Sequence, residues 1–465
     1  MGRAPSRGSR TPRIRRRGRD GGIVSRVVIF GSGRVARPAV RLLLERGQDV
    51  TIATDQPEAG ALLVGGHPNG RVLAIDARQE DEVLPAVRDS DIAVSLLPVS
   101  LHERIAEACV SERRPFVTTS YVSPQMGGLD DAARQHGVLL LNECGADPGI
   151  DHMVAMEMID RIHEAGGRVT GFWSVCGGIP SPESNTNPMG YKLSWSPRGV
   201  VMAGMRRARY MEDGHMIHVE PYHAYDVPRT IAVGDVGVLE HYPNGDSMKY
   251  LGTYGLSDLN NMYRGSFRWP GWCETWRAMS RIGLLDNAPD TALAKLSFAE
   301  ALRRATGARD GVGPGQAAAE ALSLPPDHEI LQRFEWLGLF SEDRIPEWVE
   351  SGVDLLTVRM EKTMHYAEDE TDMLVLHHAI DFVDADGREG RGTATLHETG
   401  IPGGDSAMAR TVALPAGFAV LRILDGTIHA TGVRVPVEKS IYAPLLEDLT
   451  TSGIVAKQEW TGDAS

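Results

Sequence analysis

Gly31-Ser32-Gly33-Arg34-Val35-Ala36 is the stretch of this chain whose residue types and spacing most directly imply chemistry. Glycine at the first and third positions permits a tight turn and lets the backbone approach a pyrophosphate. The small Ala36 lets the following helix pack closely on a sheet. The flanking sequence is what such a turn needs. Val27-Val28-Ile29-Phe30 reads as a buried strand, and Val35, Val40, Leu43 and Leu44 recur with helical spacing as far as Gly47, a C-terminal cap. A helix starting here offers unpaired N–H groups and its positive dipole end to phosphates. A second strand, Asp49–Thr54, ends at Asp55, 22 residues beyond Gly33, where a carboxylate takes the adenosine ribose hydroxyls. A dinucleotide site is expected, with NAD rather than NADP as cofactor, because Asp55 repels a 2′-phosphate.

The elements that position this turn alternate between strand and helix from Arg26 to about Asn142. After the first two strands come Arg71–Ile75, Asp91–Leu97, Pro115–Ser120 and Val138–Asn142. Right-handed crossovers make this a six-stranded, doubly wound parallel sheet. Ser100-x-x-Glu103 predicts a capping box on the helix after the fourth strand, leaving Leu97-Pro98 at a strand end facing the cofactor. Asp76, after the third strand, either reaches the adenine or is a solvated loop carboxylate. Asp147 is held extended by the proline after it and lies near the carboxyl ends of the strands. It is either a site residue or the N-cap of the next helix.

A long loop rich in Gly, Pro and polar residues, from Cys176 to Ser196, reads as a binding loop. Strand-like segments through about residue 270 imply a second, mixed α/β domain, and residues 272–365 read as mainly helical. Met373–Val383 and Arg391–Glu398 flank Asp386-Gly387 as a hairpin. Ser406–Asp425 and Ala443–Thr451 read as helices returning to the first domain.

Composition narrows the classes. The chain has 465 residues, 42% hydrophobic and 24% charged, which suits a globular protein of two or three domains. No uninterrupted run of 18 apolar residues exists, so no membrane partner is expected. The four cysteines form no CxxC pair, so neither a disulfide framework nor a metal site is expected, and a cytoplasmic location fits. The first twenty residues carry eight arginines and one aspartate, net +7, within an overall −14, so the remainder carries −21 and no nucleic-acid partner is expected. Residues 1–23 read as a disordered basic tail, or as the product of a start assigned too far upstream.

Taken together, the motifs closely resemble those of the saccharopine dehydrogenase family of the glutamate-forming type, also called saccharopine reductases. The matching stretches are Gly31-Ser32-Gly33, Ser95-Leu96-Leu97-Pro98, Thr119-Ser120-Tyr121-Val122-Ser123-Pro124 and Asp147-Pro148-Gly149-Ile150-Asp151-His152-Met153. Further on are Cys176-Gly177-Gly178-Ile179-Pro180, Asn187-Pro188-Met189-Gly190-Tyr191-Lys192, Tyr242-Pro243-Asn244-Gly245-Asp246-Ser247 and Arg264-Gly265-Ser266-Phe267-Arg268. Late markers are Glu335-Trp336-Leu337-Gly338-Leu339-Phe340 and Ser406-Ala407-Met408-Ala409. Two departures are the basic tail and Ser181-Pro182-Glu183, where the family commonly has Ala-Pro-Glu.

The resemblance implies an α/β fold: a Rossmann doubly wound sheet at 24–146, an α/β substrate and dimerisation domain at 147–271 and 366–404, a helical insertion at 272–365, and a C-terminal segment, 405–465, returning to the Rossmann domain. It implies oxidation of the CH–NH group of saccharopine, or a similar secondary amine, to an imine that water splits into glutamate and α-aminoadipate semialdehyde. The implied catalytic residues are Tyr121, Asp147 and Cys176. The implied substrate residues are Ser120, Tyr121, Asp147 and Arg264, the last as a carboxylate-binding arginine. The cofactor set is Gly31, Ser32, Gly33, Arg34, Val35, Asp55, Asp76, Leu97, Ser120, Ala146 and Trp195. A homodimer is implied. The rival readings are a lysine or carboxynorspermidine dehydrogenase and a non-catalytic NAD-binding scaffold.

Overall fold

The computed structural model describes residues 24–309 and 311–462. The basic tail, 1–23, lies outside them. The chain divides into two compact units: the residues up to Glu143 together with Ala416–Arg434, and Cys144–Pro415 together with the residues from Val435 onward. Of the segment 405–465, therefore, only Ala416–Arg434 joins the first unit.

The first unit contains a parallel sheet. Its strands are β1 (Arg26–Phe30), β2 (Asp49–Thr54), β3 (Gly70–Ala74), β4 (Ile92–Ser95), β5 (Phe116–Thr118) and β6 (Leu139–Leu141). A seventh, which sequence patterning does not predict, is Gly432–Arg434, paired in parallel with β6. With that strand first, the order runs outward through β6, β5, β4, β1, β2 and β3. Val27 to Phe30 are all buried, as a central strand covered on both faces requires. The order reverses between β1 and β4, where α/β sheets bind their ligands.

The expected capping box does not form. The helix after β4 is His102–Glu112, entered through a 3₁₀ turn at Val99–Leu101 with no side-chain cap. Glu103 instead accepts from Ser123 Oγ at 2.8 Å.

The second unit is built on a mixed sheet. Its strands are β7 (Arg168–Pro180), β8 (Ala208–Glu212), β9 (His215–Val219), β10 (Arg229–Val233), β11 (Gly237–Pro243), β12 (Asn261–Arg268), β13 (Asp372–Val383), β14 (Glu389–Thr399) and, following the Gly432–Arg434 strand (β15), β16 (Ala456–Thr461). The order is β10-β11-β12-β7-β13-β14-β16, with β8 paired to β12 and β9. Long, apolar-rich β7 lies near the middle, parallel to β12 and antiparallel to β13. The helices between residues 272 and 364 share one apolar core with this sheet, in which Val175 and Phe267 meet Trp272, Trp276, Phe334 and Leu356.

The helix Ala407–Leu424 has the length and apolar composition of a membrane span, although Arg410 and Arg422 interrupt it. Ala407, Ala409, Thr411, Ala413, Ala416, Phe418, Ala419 and Val420 are buried inside the protein.

Candidate active site

In the first unit the expected cofactor residues follow the carboxyl ends of β1 (Gly31–Val35), β2 (Asp55), β3 (Asp76), β4 (Leu97) and β5 (Ser120). Gly31 has φ +108°, and a β-carbon there would stand 3.2 Å from the Leu96 backbone and from Leu97 Cδ2. Only glycine serves at that position. Gly33 and Arg34 are exposed, Val35 is half-buried, and the helix begins at Arg37. Ser32 Oγ is 2.8 Å from Thr54 Oγ1, which also accepts from the Gln56 backbone, so the turn is fastened to the end of β2. An open glycine turn feeding a helix N-terminus fits a dinucleotide pyrophosphate.

Asp55 is exposed. Asp76 pairs with Arg78 at 2.8 Å, and that hydrogen bond holds its carboxyl below the usual value. The Arg78 guanidinium also feels the charge of Asp55.

Ser120, at the end of β5, belongs to a hydrogen-bonded chain that sequence reasoning missed. His102 Nε2 lies 2.8 Å from Ser120 Oγ, and His102 Nδ1 lies 2.8 Å from Ser95 Oγ. Burial pushes His102 down to about 4, so the ring is neutral at physiological pH. Tyr121, next in the chain, is exposed, and the Val122 backbone donates to Glu143 Oε1 at 3.0 Å.

In the second unit the loop Cys144–Gly149 folds back on itself. Gly145 N donates to Pro148 O, Ile150 N to Gly145 O, and Asp151 N to Ala146 O. Gly149 has φ +146°, and a β-carbon there would lie 2.0 Å from Gly145 O. This tight return brings Asp147 beside the start of the helix Ile150–Glu164. Asp147 is not its N-cap. That position is Gly149, whose N–H donates to Asp151 Oδ1.

Asp147 turns to Arg264 on β12. One Arg264 nitrogen, Nη2, donates to Asp147 Oδ1 at 2.7 Å and to Asp151 Oδ2 at 2.6 Å. The guanidinium also lies 4.0 Å from the centroid of the Tyr250 ring. The Asp151 side chain has no exposure and that of Asp147 has 17%. His378 Nε2 meets Asp151 O at 3.0 Å, and His152 Nδ1 meets Tyr254 OH at 2.9 Å.

Cys176 stands on β7 opposite Ser266, with Arg264 opposite Ser174. Burial pushes its thiol well above the ordinary value. Asp147 and Asp151 push it further, while Arg264 and Arg268 oppose them. Cys176 is therefore a thiol, not a thiolate. Within this unit Asp147 pairs with Arg264, and the charges of both act on Cys176. Trp195 is 38% exposed, with Nε1 donating to Tyr191 OH at 3.0 Å.

Comparison with known proteins places this geometry. Residues 27–141 match the saccharopine dehydrogenase NADP binding domain, and residues 145–454 match the saccharopine dehydrogenase C-terminal domain. The chain belongs to the saccharopine dehydrogenase family. It is 32% identical, over 93% of its length and 98% of the relative's, to saccharopine dehydrogenase [NADP(+), L-glutamate-forming] of Schizosaccharomyces pombe. It is 33% identical to the Saccharomyces cerevisiae protein of the same name, over 93% of this chain and 98% of that one. The solved apo structure of the Saccharomyces cerevisiae saccharopine dehydrogenase (L-Glu forming) superposes with a TM-score of 0.87 at 31% identity, covering 94% of this chain and 100% of that one. This member of the saccharopine dehydrogenase family is thus an oxidoreductase with an NAD(P)-binding Rossmann unit.

The expected preference for NAD is corrected by these relatives, whose names specify NADP(+), and by the match of residues 27–141 to an NADP binding domain. The physical flaw lies in reading Asp55 alone. Arg78, from the loop after β3, pairs with Asp76 and also interacts with Asp55, so a cation stands beside the carboxylate on which the expectation rested.

Proposed function

We propose that this saccharopine dehydrogenase family member catalyses the NADP-linked interconversion of saccharopine and water with glutamate and α-aminoadipate semialdehyde, in lysine metabolism. The observation that carries the reading is the Asp147–Arg264–Asp151 cluster beside the Cys176 thiol. It unites acid–base and hydrogen-bonding groups on the unit that matches the family's C-terminal domain.

Oxidation removes a hydride from the carbon next to the secondary amine, and a bound nicotinamide ring supplies its acceptor. The remaining steps are proton transfers. The amine nitrogen loses a proton, the C–N bond becomes an imine, water adds to the imine carbon, and the carbinolamine expels the glutamate nitrogen, which regains a proton. Asp147 suits these transfers because its carboxylate is partly exposed yet held at one oxygen by Arg264. Cys176 remains protonated and serves as a hydrogen-bonding thiol. Tyr121 and Ser120 supply hydroxyls, and His102 holds the Ser120 hydroxyl in place. When the cofactor binds, the Gly31–Val35 turn and the N-terminus of the helix from Arg37 would hold its pyrophosphate. Arg78, which pairs with Asp76, would supply a cation to the 2′-phosphate.

The test is the rate of NADP+ reduction, followed by absorbance, with saccharopine, lysine and carboxynorspermidine added separately. Turnover confined to saccharopine is expected. Faster turnover with either other amine overturns the substrate assignment. The same reading carries a cytoplasmic homodimer, for which a monomeric mass by light scattering at micromolar concentration is the contrary result.

A further inference from the structure

The segment between β9 and β10 and the last turns of the helix Trp272–Arg281 line a cavity of about 620 Å³ in the second unit. None of its lining residues belongs to the expected catalytic, substrate or cofactor sets. Arg277 and Arg281 line it from the helix, and Tyr222, His223 and Asp226 line it from the segment. Each carboxylate of the lining has a partner. Asp226 Oδ2 accepts from His223 Nδ1 at 2.6 Å, and Asp286 Oδ1 accepts from the Ala288 backbone at 2.8 Å. The guanidiniums are different. Among the described residues neither Arg277 nor Arg281 has a hydrogen-bonding or ion-pair partner. The adjoining cavity, which Arg277 also lines, neutralises its own arginine: Arg333 is held by Glu274 at 2.5 Å and by Glu329 at 2.9 Å.

Like charges four residues apart on one helix repel. The helix dipole accounts for Arg281, in the last turn, but not for Arg277, in the middle of the helix. Two open guanidiniums in one cavity make a fork for phosphate oxygens. Tyr222 adds an aromatic face to it. The residue is 37% exposed, and its backbone has φ +71°, a left-handed conformation that a bulky side chain rarely adopts. Tyr222 N donates to Gly204 O at 3.2 Å, and Tyr222 O accepts from Ser280 Oγ at 3.3 Å. The second bond ties the strained residue to the helix that carries both arginines.

We propose that this cavity binds a small aromatic phosphate of the nucleoside monophosphate class. Arg277 and Arg281 take the phosphate, the Tyr222 ring stacks on the base, and the remaining oxygens of Asp226 and Asp286 accept from ribose hydroxyls. Ligand pockets of roughly 300–1,000 Å³ hold molecules of this size. The site owes nothing to the Gly31–Val35 turn of the first unit, and it stands whatever amine the enzyme oxidises.

The experiment is calorimetric titration of the full chain with AMP, adenosine and inorganic phosphate, each with saturating NADP+ present to keep AMP out of the cofactor site. Saturable AMP binding is expected, at least tenfold tighter than adenosine or phosphate. Arg277→Met/Arg281→Met should weaken AMP at least tenfold and Tyr222→Ala at least threefold, with NADP+ affinity unchanged. No AMP binding to the wild-type chain at millimolar concentration overturns the proposal, as does binding that the double arginine variant leaves unaltered. Phosphate bound as tightly as AMP would show an anion site with no place for the ring, and that also overturns it. If the double variant does not fold, Arg281→Glu, at an exposed position, carries the test. Tenfold weaker AMP binding there supports the site, and unaltered binding overturns it.

Discussion

Replacing Arg264 by methionine leaves two carboxylates at one place with their shared cation removed. Arg264 Nη2 donates to Asp147 Oδ1 at 2.7 Å and to Asp151 Oδ2 at 2.6 Å, and the Asp151 side chain has no contact with water. Removing one partner of a buried ion pair costs about 3–5 kcal/mol. Asp147 is 17% exposed and keeps part of its hydration, so most of that cost falls on Asp151. Loss of the guanidinium over the Tyr250 ring adds roughly 0.5–1 kcal/mol. A total near 4 kcal/mol lowers the melting temperature of a unit this large by roughly 5–15 °C.

The assay is thermal unfolding at neutral pH of wild type, Arg264→Met, Asp151→Asn and the double variant. Arg264→Met/Asp151→Asn should recover much of the loss because the uncompensated buried charge is gone, a coupling of about 1–3 kcal/mol. An Arg264→Met protein with unaltered unfolding and only a raised KM would refute the reasoning. The guanidinium would then be a substrate clamp, as the resemblance implied, rather than the bond that fixes Asp147.

Three further outcomes are expected. Asp147→Asn keeps the shape of the loop but removes the proton carrier, so kcat should fall about 10²–10⁴-fold and the pH profile should change; intact kcat with an unmoved profile would move the proton to another group. Burial holds His378 at about 3, below its ordinary 6.5. Between these values the unfolded chain takes up a proton that the folded one refuses, so the stability from the neutral ring is whole above pH 6.5. It falls by about 1.4 kcal/mol per pH unit below that; His378→Gln should flatten the acid side of a melting-temperature profile, and an unchanged slope counts against it. Arg78→Ala should raise KM for NADP+ several-fold more than KM for NAD+, and equal effects on both would remove Arg78 from the 2′-phosphate.

What the sequence made legible was local. Four buried β-branched and aromatic residues before Gly31 and a helical period after it specify a βα turn, and the Asp386-Gly387 turn between two alternating runs specifies a hairpin, observed as β13 and β14. The Gly432–Arg434 strand was illegible because three residues carry no period. Ser100-x-x-Glu103 misled because Ser123, 20 residues away, competes for the Glu103 carboxylate. The role of Arg264 depends on partners 113 and 117 residues away in the chain, and spacing along one strand cannot reveal them. His102 carried no signal beyond its place after a strand end, since its meaning lies in two serines brought in from β4 and β5. The cofactor preference failed for the same reason: Asp55 was read without Arg78.

The most direct test of the central claim is to identify the products when the purified chain is given saccharopine and NADP+. The account predicts glutamate, α-aminoadipate semialdehyde and NADPH in equal amounts, by mass spectrometry and absorbance. Lysine and 2-oxoglutarate in their place, or no product from a chain shown to bind both ligands, would contradict it.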